Sequence, residues 1–380
     1  MIKEKAIIDR FLEIEDPWSL PVGERRELLA ASIREAVGFH YEHNTVWRRL
    51  CEAKGFRPSD VQTYDDLNLI PVISTRAFKG GFDLLSVPEE EIVKVHMSSG
   101  TSGNRSRVPR DRITLDRNER SLQISIRKFR ASDARYLAMM SPSPDELGDL
   151  TMANYARTAA AMAEDHGFFL ELKGGFRPEK VVETLNRVKV RPVNIGGAPV
   201  LIMVLAQYIL KTGDRIRTLT PDSGVSSAGG FKTPTGDMIS REEFDQLVMK
   251  AFGIPRENIR DVYSMSELNG ALLECGHHHK HLPPWFYLSI RNPADIDEEV
   301  APGEEGLPVF LDPLAHSYPG FIIADDIVSI TTGPEEICAC GVPGPVLAPH
   351  VRRAQGVEEK GCGRHVAELR EQMMNSDENI

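Results

Sequence analysis

Apolar residues first recur at helical spacing in Arg25–Val37, where Leu28, Leu29, Ile33, Ala36 and Val37 fall on one stripe. Gly38 is placed to end that helix. Tyr64 to Pro71 reads as a short turn, with Pro71 stopping what precedes it. The period changes near residue 90. Glu91–Met97 alternates as a strand does, and a helix follows from near Thr114. Strand Tyr136–Met140 leads to an Ala-rich helix from Met152 to His166, and strand Phe168–Leu172 to a helix from Pro178 to Val188. Strand Pro192–Ile195 then leads to helix Pro199–Lys211. Strands alternating with helices of this length predict a mostly parallel α/β sheet. A further helix, Arg241–Phe252, is closed by Gly253-Ile-Pro255, and beyond Trp285 the chain turns to β-strand and loop. Trp18, Trp47, Trp285, Met97, Met139, Met140 and Met265 read as packing residues, and Asp295–Glu299 as a solvated loop.

The chain has 380 residues, 41% hydrophobic and 27% charged, enough for a sizeable core and against disorder. Lys and Arg number 45 against 56 Asp and Glu, a net charge of −11 that argues against nucleic-acid or membrane-surface binding. No apolar run approaches the roughly 18 residues of a membrane span. The N-terminus has acids inside it and no apolar core, unlike a signal peptide. Five cysteines, an odd number, fit a reducing cytoplasm with thiols available for metal or catalysis.

Ser98-Ser-Gly-Thr-Ser-Gly103 crowds four hydroxyls and two glycines into six residues after a strand. Such a loop offers exposed N–H groups and hydroxyls to a polyphosphate. It lacks the Lys of a Walker A loop, and Arg105, Arg107 and Arg110 follow as candidate phosphate cations. In Asp261-Val-Tyr-Ser-Met-Ser-Glu267 a Tyr suits stacking on a purine, a Ser a phosphate oxygen, and a Glu Mg²⁺. Each motif alone also reads blandly, as a polar turn and a solvated strand end.

Taken in order, the hydroxyl loop, Ser227-Ala-Gly-Gly-Phe-Lys232 and Tyr-x-Met-x-Glu resemble the adenylate-forming enzymes. Further runs resemble the acyl-protein synthetase (LuxE-like) branch: Ile239–Leu247, Asn258–Tyr263, His281–Trp285, Leu314–Gly320, Asp325-Asp-Ile327 and Gly356–Cys362. The resemblance spans about residues 90 to 365. It implies the α/β core of an adenylate-forming enzyme, mixed sheets sandwiched by helices plus a small β subdomain. The C-terminal lid domain would be absent or vestigial. Residues 1–90 would form a helical segment of the core, 91–330 the ATP- and acyl-binding part, and 331–380 a short tail in place of the lid.

The resemblance also implies roles. Ser98, Ser99, Gly100, Thr101, Ser102 and Gly103 would hold the β- and γ-phosphates. Gly229 and Gly230 would line the adenine and acyl pocket. Tyr263 would stack on adenine, Ser266 touch the α-phosphate and Glu267 bind Mg²⁺. Asp326, with Asp325 as rival, would bind the ribose. Arg353, with Arg352 as rival, would be the late motif arginine. The usual lid lysine has no counterpart among the fewer than thirty residues after Arg353. Cys362 matches the family's acyl-accepting thiol, and Lys360, Arg364 and His365 nearby favour the thiolate. The implied activity is activation of a fatty or aromatic acid by ATP and Mg²⁺, with acyl transfer to a protein thiol, an acyl reductase or an acyl-carrier partner. A phenylacetate-type CoA ligase and a weakly catalytic nucleotide-binding subunit are the rivals, and a homo-oligomer stays open. Cys275, His281, Cys338 and Cys340 together make a Cys₃His set suited to structural zinc, with His277, His278 and His279 as spare donors.

Overall fold

The computed structural model describes residues 5–80, 83–98, 105–133, 135–231, 239–333, 335–349 and 351–354, with Arg353 by its backbone alone. Ser99 to Gly103 and Cys362 lie outside the described residues. The chain forms two compact units. One comprises Leu122–Ser264 and Ala271–His281, the other Met1–Ser121, Met265–Gly270 and Leu282–Ile380.

The first unit is built on a sheet. Five parallel strands lie in the order Ile259–Tyr263, Gly224–Ala228, Val193–Gly197, Tyr136–Met140 and Asp165–Phe168. Leu272–Glu274 and Lys280–His281 extend it antiparallel beyond Tyr263. Strand alternation divides the apolar side chains between two faces. Tyr136, Ala138, Met140, Val193, Ile195 and Ile259 pack with helices Pro178–Arg187, Pro199–Thr212 and Arg241–Phe252. Leu137 and Met139 pack on Ala156 and Ala160 of helix Thr151–Ala161. Pro178 and Pro199 sit at helix starts, where the missing N–H costs nothing. Helix Arg241–Phe252 begins at a Ser240–Glu243 capping box and ends at Gly253 with φ 67°. The parallel α/β expectation holds. The Ala-rich helix stops at Ala161, and Asp165–Phe168 is already strand.

The second unit carries an antiparallel sheet of Phe321–Ile323, Leu307–Leu311, Tyr287–Asn292 and Asp295–Glu299, with Ile73–Ser74 paired parallel at one edge. Its long helix runs Val22–His43, through Gly38. Buried Leu29, Ile33, Val37 and His40 anchor both sides of that glycine, and the roughly 1 kcal/mol a helical glycine costs is too little to end the helix. Asp295–Glu299 is a strand, with four of its five residues exposed, because an edge strand tolerates an outer charged face. Trp18, Trp47 and Trp285 are buried. Among the described residues, no helix is long and apolar enough to cross a membrane.

Candidate active site

Within the second unit, Ile92–Met97 and Arg107–Asp111 form an antiparallel hairpin whose connection holds the hydroxyl loop. Its base is closed locally. The Ser98 N–H donates to the Ser106 carbonyl at 3.2 Å, and the Ser106 N–H donates to Ser98 Oγ at 2.9 Å. The Ser106 side chain lies by the Glu267 carboxyl and pulls its pKa down. Glu267 is buried, which corrects the view of it as a solvated strand end. Burial pushes its pKa up, against the pull of Ser106, Lys79 and Arg110. Ser266 beside it is also buried.

Arg105 and Arg107 are exposed, but Arg110 is fully buried. Its Nε donates to Asn269 Oδ1 and its Nη2 to the Ser266 carbonyl, each at 2.8 Å, and its Nη1 meets His96 Nδ1. Arg110 therefore serves the turn at 266–269 and is no candidate phosphate cation. Asp325 pairs with Arg76 at 2.8 Å, whereas Asp326 is buried and its backbone faces that of Arg353 in a two-residue antiparallel pair.

In the sheet unit, the parallel strands end at Met140, Gly197, Ala228 and Tyr263. Open α/β sheets bind ligands beyond these carboxyl ends, where the strand order reverses. Here the chain goes from Tyr136–Met140 to its neighbour Asp165–Phe168, then to Val193–Gly197 on the other side. The reversal lies between Met140 and Gly197. Gly197 has φ 149°, and a Cβ there would stand 2.9 Å from both the Met140 carbonyl oxygen and Met140 Cβ. Gly229 and Gly230 follow the next strand end, Gly229 at φ 116°. Gly196-Gly197 was missed in the sequence, although a Gly-Gly pair after an apolar strand is a visible signal. Tyr263 is buried at the next strand end.

Beneath that edge lies a buried charge cluster that sequence spacing did not suggest. Ser227 Oγ donates to Asp261 Oδ1 at 2.8 Å. Lys280 Nζ reaches Asp261 at 3.1 Å and Glu274 at 2.8 Å. Arg241 joins Glu274 at 3.0 Å and Asp245 at 2.7 Å, and Glu274 Oε2 accepts from the Asp261 N–H at 2.8 Å. Burial opposes ionisation of Glu274, but His278, Lys280 and Arg241 overcome it and hold the carboxyl well below its usual range. Burial and the Glu274 charge push Asp261 the other way, against Lys280.

Cys275 and His281 flank one turn of the sheet unit, closed by the Cys275 N–H to the His279 carbonyl and the His278 N–H to the Cys275 carbonyl, each 3.0 Å. Both are buried, and His281 stacks on Phe129 with ring centres 4.6 Å apart. Burial lowers the His281 pKa to about 4, leaving the ring neutral. Cys338 and Cys340 share a turn of the other unit, in which the Gly341 N–H donates to the Cys338 carbonyl at 2.8 Å. Cys338 is buried and Cys340 half-buried.

The sequence profile of the acyl-protein synthetase family LuxE matches residues 2–370. The chain belongs to the acyl-protein synthetase family. It is an enzyme of the adenylate-forming carboxylic acid ligase class. A long-chain-fatty-acid–luciferin-component ligase of Aliivibrio fischeri is 28% identical over 372 residues, 95% of this chain and 94% of that protein. A phenylacetate-coenzyme A ligase of Escherichia coli is 25% identical over 75% of this chain and 62% of its own length. A solved 2-hydroxyisobutyryl-CoA ligase, holding 2-HIB-AMP and CoA, superposes with a TM-score of 0.67 at 19% identity, over 88% of this chain and 69% of that one. That likeness confirms the fold of this acyl-protein synthetase as the adenylate-forming one.

Proposed function

We propose that the chain activates a carboxylic acid with ATP and passes the acyl group to a thiol. Buried Glu267 carries the reading, because its carboxyl lies by the serine that closes the hydroxyl loop. A carboxyl whose ionisation is disfavoured by burial fits a cation bound with phosphate, and Mg²⁺ prefers such oxygen ligands. When bound, Mg²⁺ would screen the charge between acid and triphosphate. Ser98 to Gly103 would cradle the β- and γ-phosphates, Ser266 the α-phosphate, Asp326 the ribose and Arg353 the late contact. The engagement of Asp325 with Arg76 supports Asp326 for the ribose. Tyr263, Gly229 and Gly230 lie at the strand ends where adenine and acyl group would lodge.

The chemistry needs little proton transfer at first. A carboxylate oxygen attacks the α-phosphorus and the bond to the β-phosphate oxygen breaks, releasing pyrophosphate. Protein groups need only align the reactants and match the charge. A thiolate then attacks the acyl carbonyl and AMP leaves. Cys362, outside the described residues, is the acceptor we assign, with a partner acyl reductase downstream. The acid is long-chain, by likeness to the Aliivibrio relative whose name carries that substrate.

Carboxylate-dependent ATP–pyrophosphate exchange tests the reading. Exchange with fatty acids supports it, exchange with aryl acids and acyl-CoA formation favours the CoA-ligase alternative, and no exchange with any acid refutes it. Cys362→Ser should keep exchange and lose the covalent acyl-enzyme. Loss of both would refute the assigned thiol.

Cys275 and His281, a thiol and a neutral imidazole on one turn, have the donor chemistry of a structural zinc site, as do the thiols Cys338 and Cys340 on theirs. Elemental analysis of the purified chain should find about one zinc per chain, lost in Cys338→Ser.

A further inference from the structure

The turn bearing Ser266 and Glu267 is held by side chains that lie behind it. The Arg110 fork takes the Ser266 carbonyl at 2.8 Å and the Leu268 carbonyl at 3.4 Å. The Tyr318 hydroxyl donates to the Glu267 carbonyl between them at 3.0 Å. Asn269 closes the turn, its N–H and side-chain amide donating to Asp312 Oδ2 at 2.8 and 2.9 Å. Arg110, Asn269, Asp312 and Tyr318 are each fully buried. Three successive carbonyls and the following N–H are thus fixed by side chains, although the turn lies outside any strand ladder.

Arg110 also belongs to the hairpin. It stands on the strand after the hydroxyl loop, and its Nη1 engages His96 on the strand before it. One guanidinium therefore ties both strands of the phosphate hairpin to the turn that carries Glu267. Only a planar fork of several N–H donors satisfies Asn269, His96 and the turn carbonyls together, and a lysine ammonium has neither the shape nor the reach.

We propose that Arg110 and Tyr318 are positioning residues that set the Glu267 carboxylate beside Ser106 at the base of the hairpin, and so fix the Mg²⁺ and ATP requirement of the reaction. This rests on the acid-activating reading above for its chemistry. Its test does not, because Mg²⁺-dependent ATP binding is measured without any acid.

The full chain would be prepared as Arg110→Lys and Tyr318→Phe and compared with wild type. Mg²⁺-dependent ATP affinity is read by calorimetry, and KM for ATP and for acid by pyrophosphate exchange. Losing support behind a metal ligand typically costs about 10–100-fold in metal affinity or activity. We expect an Mg²⁺ half-saturation raised on that scale in Arg110→Lys and by its lower end in Tyr318→Phe, with KM for the acid unmoved. Should Arg110→Lys fail to fold, Tyr318→Phe decides, since its ring still fills the buried site. A folded Tyr318→Phe with wild-type Mg²⁺ and ATP dependence overturns the proposal, even if its thermal stability falls. A wild type that binds Mg·ATP but exchanges with no acid would overturn the acid-activating reading. A raised Mg²⁺ half-saturation for binding would still support the present proposal.

Discussion

Replacing Asp312 with Asn should change how stability depends on pH, and the structure sets the size. Asp312 is fully buried, and burial lifts its pKa from 3.8 to about 6, against the hydrogen bonds from Asn269 and Leu314 and the charge of Arg110. The folded protein thus holds this proton more tightly than the unfolded chain does. Its contribution to stability is full below pH 3.8 and is lost as pH rises through about 6. At about 1.4 kcal/mol per pH unit the whole shift is worth about 3 kcal/mol. About 2 kcal/mol of it falls between roughly pH 4.5 and 7. Asn does not titrate, and turning its amide toward the Leu314 N–H adds an offset that does not vary with pH. Urea unfolding of both proteins across that range isolates the term. The difference in unfolding free energy should move in favour of Asp312→Asn as pH rises, by about 2 kcal/mol. A difference that stays flat, or moves the other way, would refute the account of Asp312 as a strained buried carboxyl.

Other perturbations follow from the same geometry. Lys280→Met leaves Asp261 and Glu274 without their shared cation and should cost about 3–5 kcal/mol in denaturant unfolding; a loss below about 1 kcal/mol would show that Arg241 suffices. Gly197→Ala forces a side chain against Met140 at a φ of 149°, so it should destabilise by about 1–3 kcal/mol and impair exchange beyond what the stability loss explains. Glu267→Gln should fold with undiminished stability, because it removes a carboxyl that burial disfavours, yet lose about 100-fold or more in Mg²⁺-dependent exchange. A variant with normal exchange would remove Glu267 from the metal site.

Much of the sheet unit was legible because its signals are local. Strands of four or five residues alternate with helices opened by Pro178 and Pro199 and closed by Gly213 or Gly253. Errors arose where tertiary contacts overrode local preference, as at Gly38, kept helical by the buried residues on either side. Charge misled at Asp295–Glu299, where pairing with Tyr287–Asn292 supplies the backbone partners a loop would lack. At the site, residue types were readable but side-chain directions were not. Arg110 looked like a phosphate cation beside a hydroxyl loop, but its partners His96, Asn269 and Ser266 are 14, 159 and 156 positions away. Lys280 stood inside a run of histidines, and nothing local showed that it bridges two buried carboxylates.

The fastening of Arg110 to His96, Asn269 and the Ser266 and Leu268 carbonyls has an evolutionary consequence. A single substitution at 96, 110 or 269 strands a buried donor or acceptor, at a cost of about 1–3 kcal/mol for each orphaned group. Drift at position 110 is therefore blocked unless 96 or 269 has already changed. These positions should be inherited as a block, and a family member carrying another residue at 110 should carry a rebuilt turn as well. Swapping the whole set between members should preserve activity where each single exchange loses it.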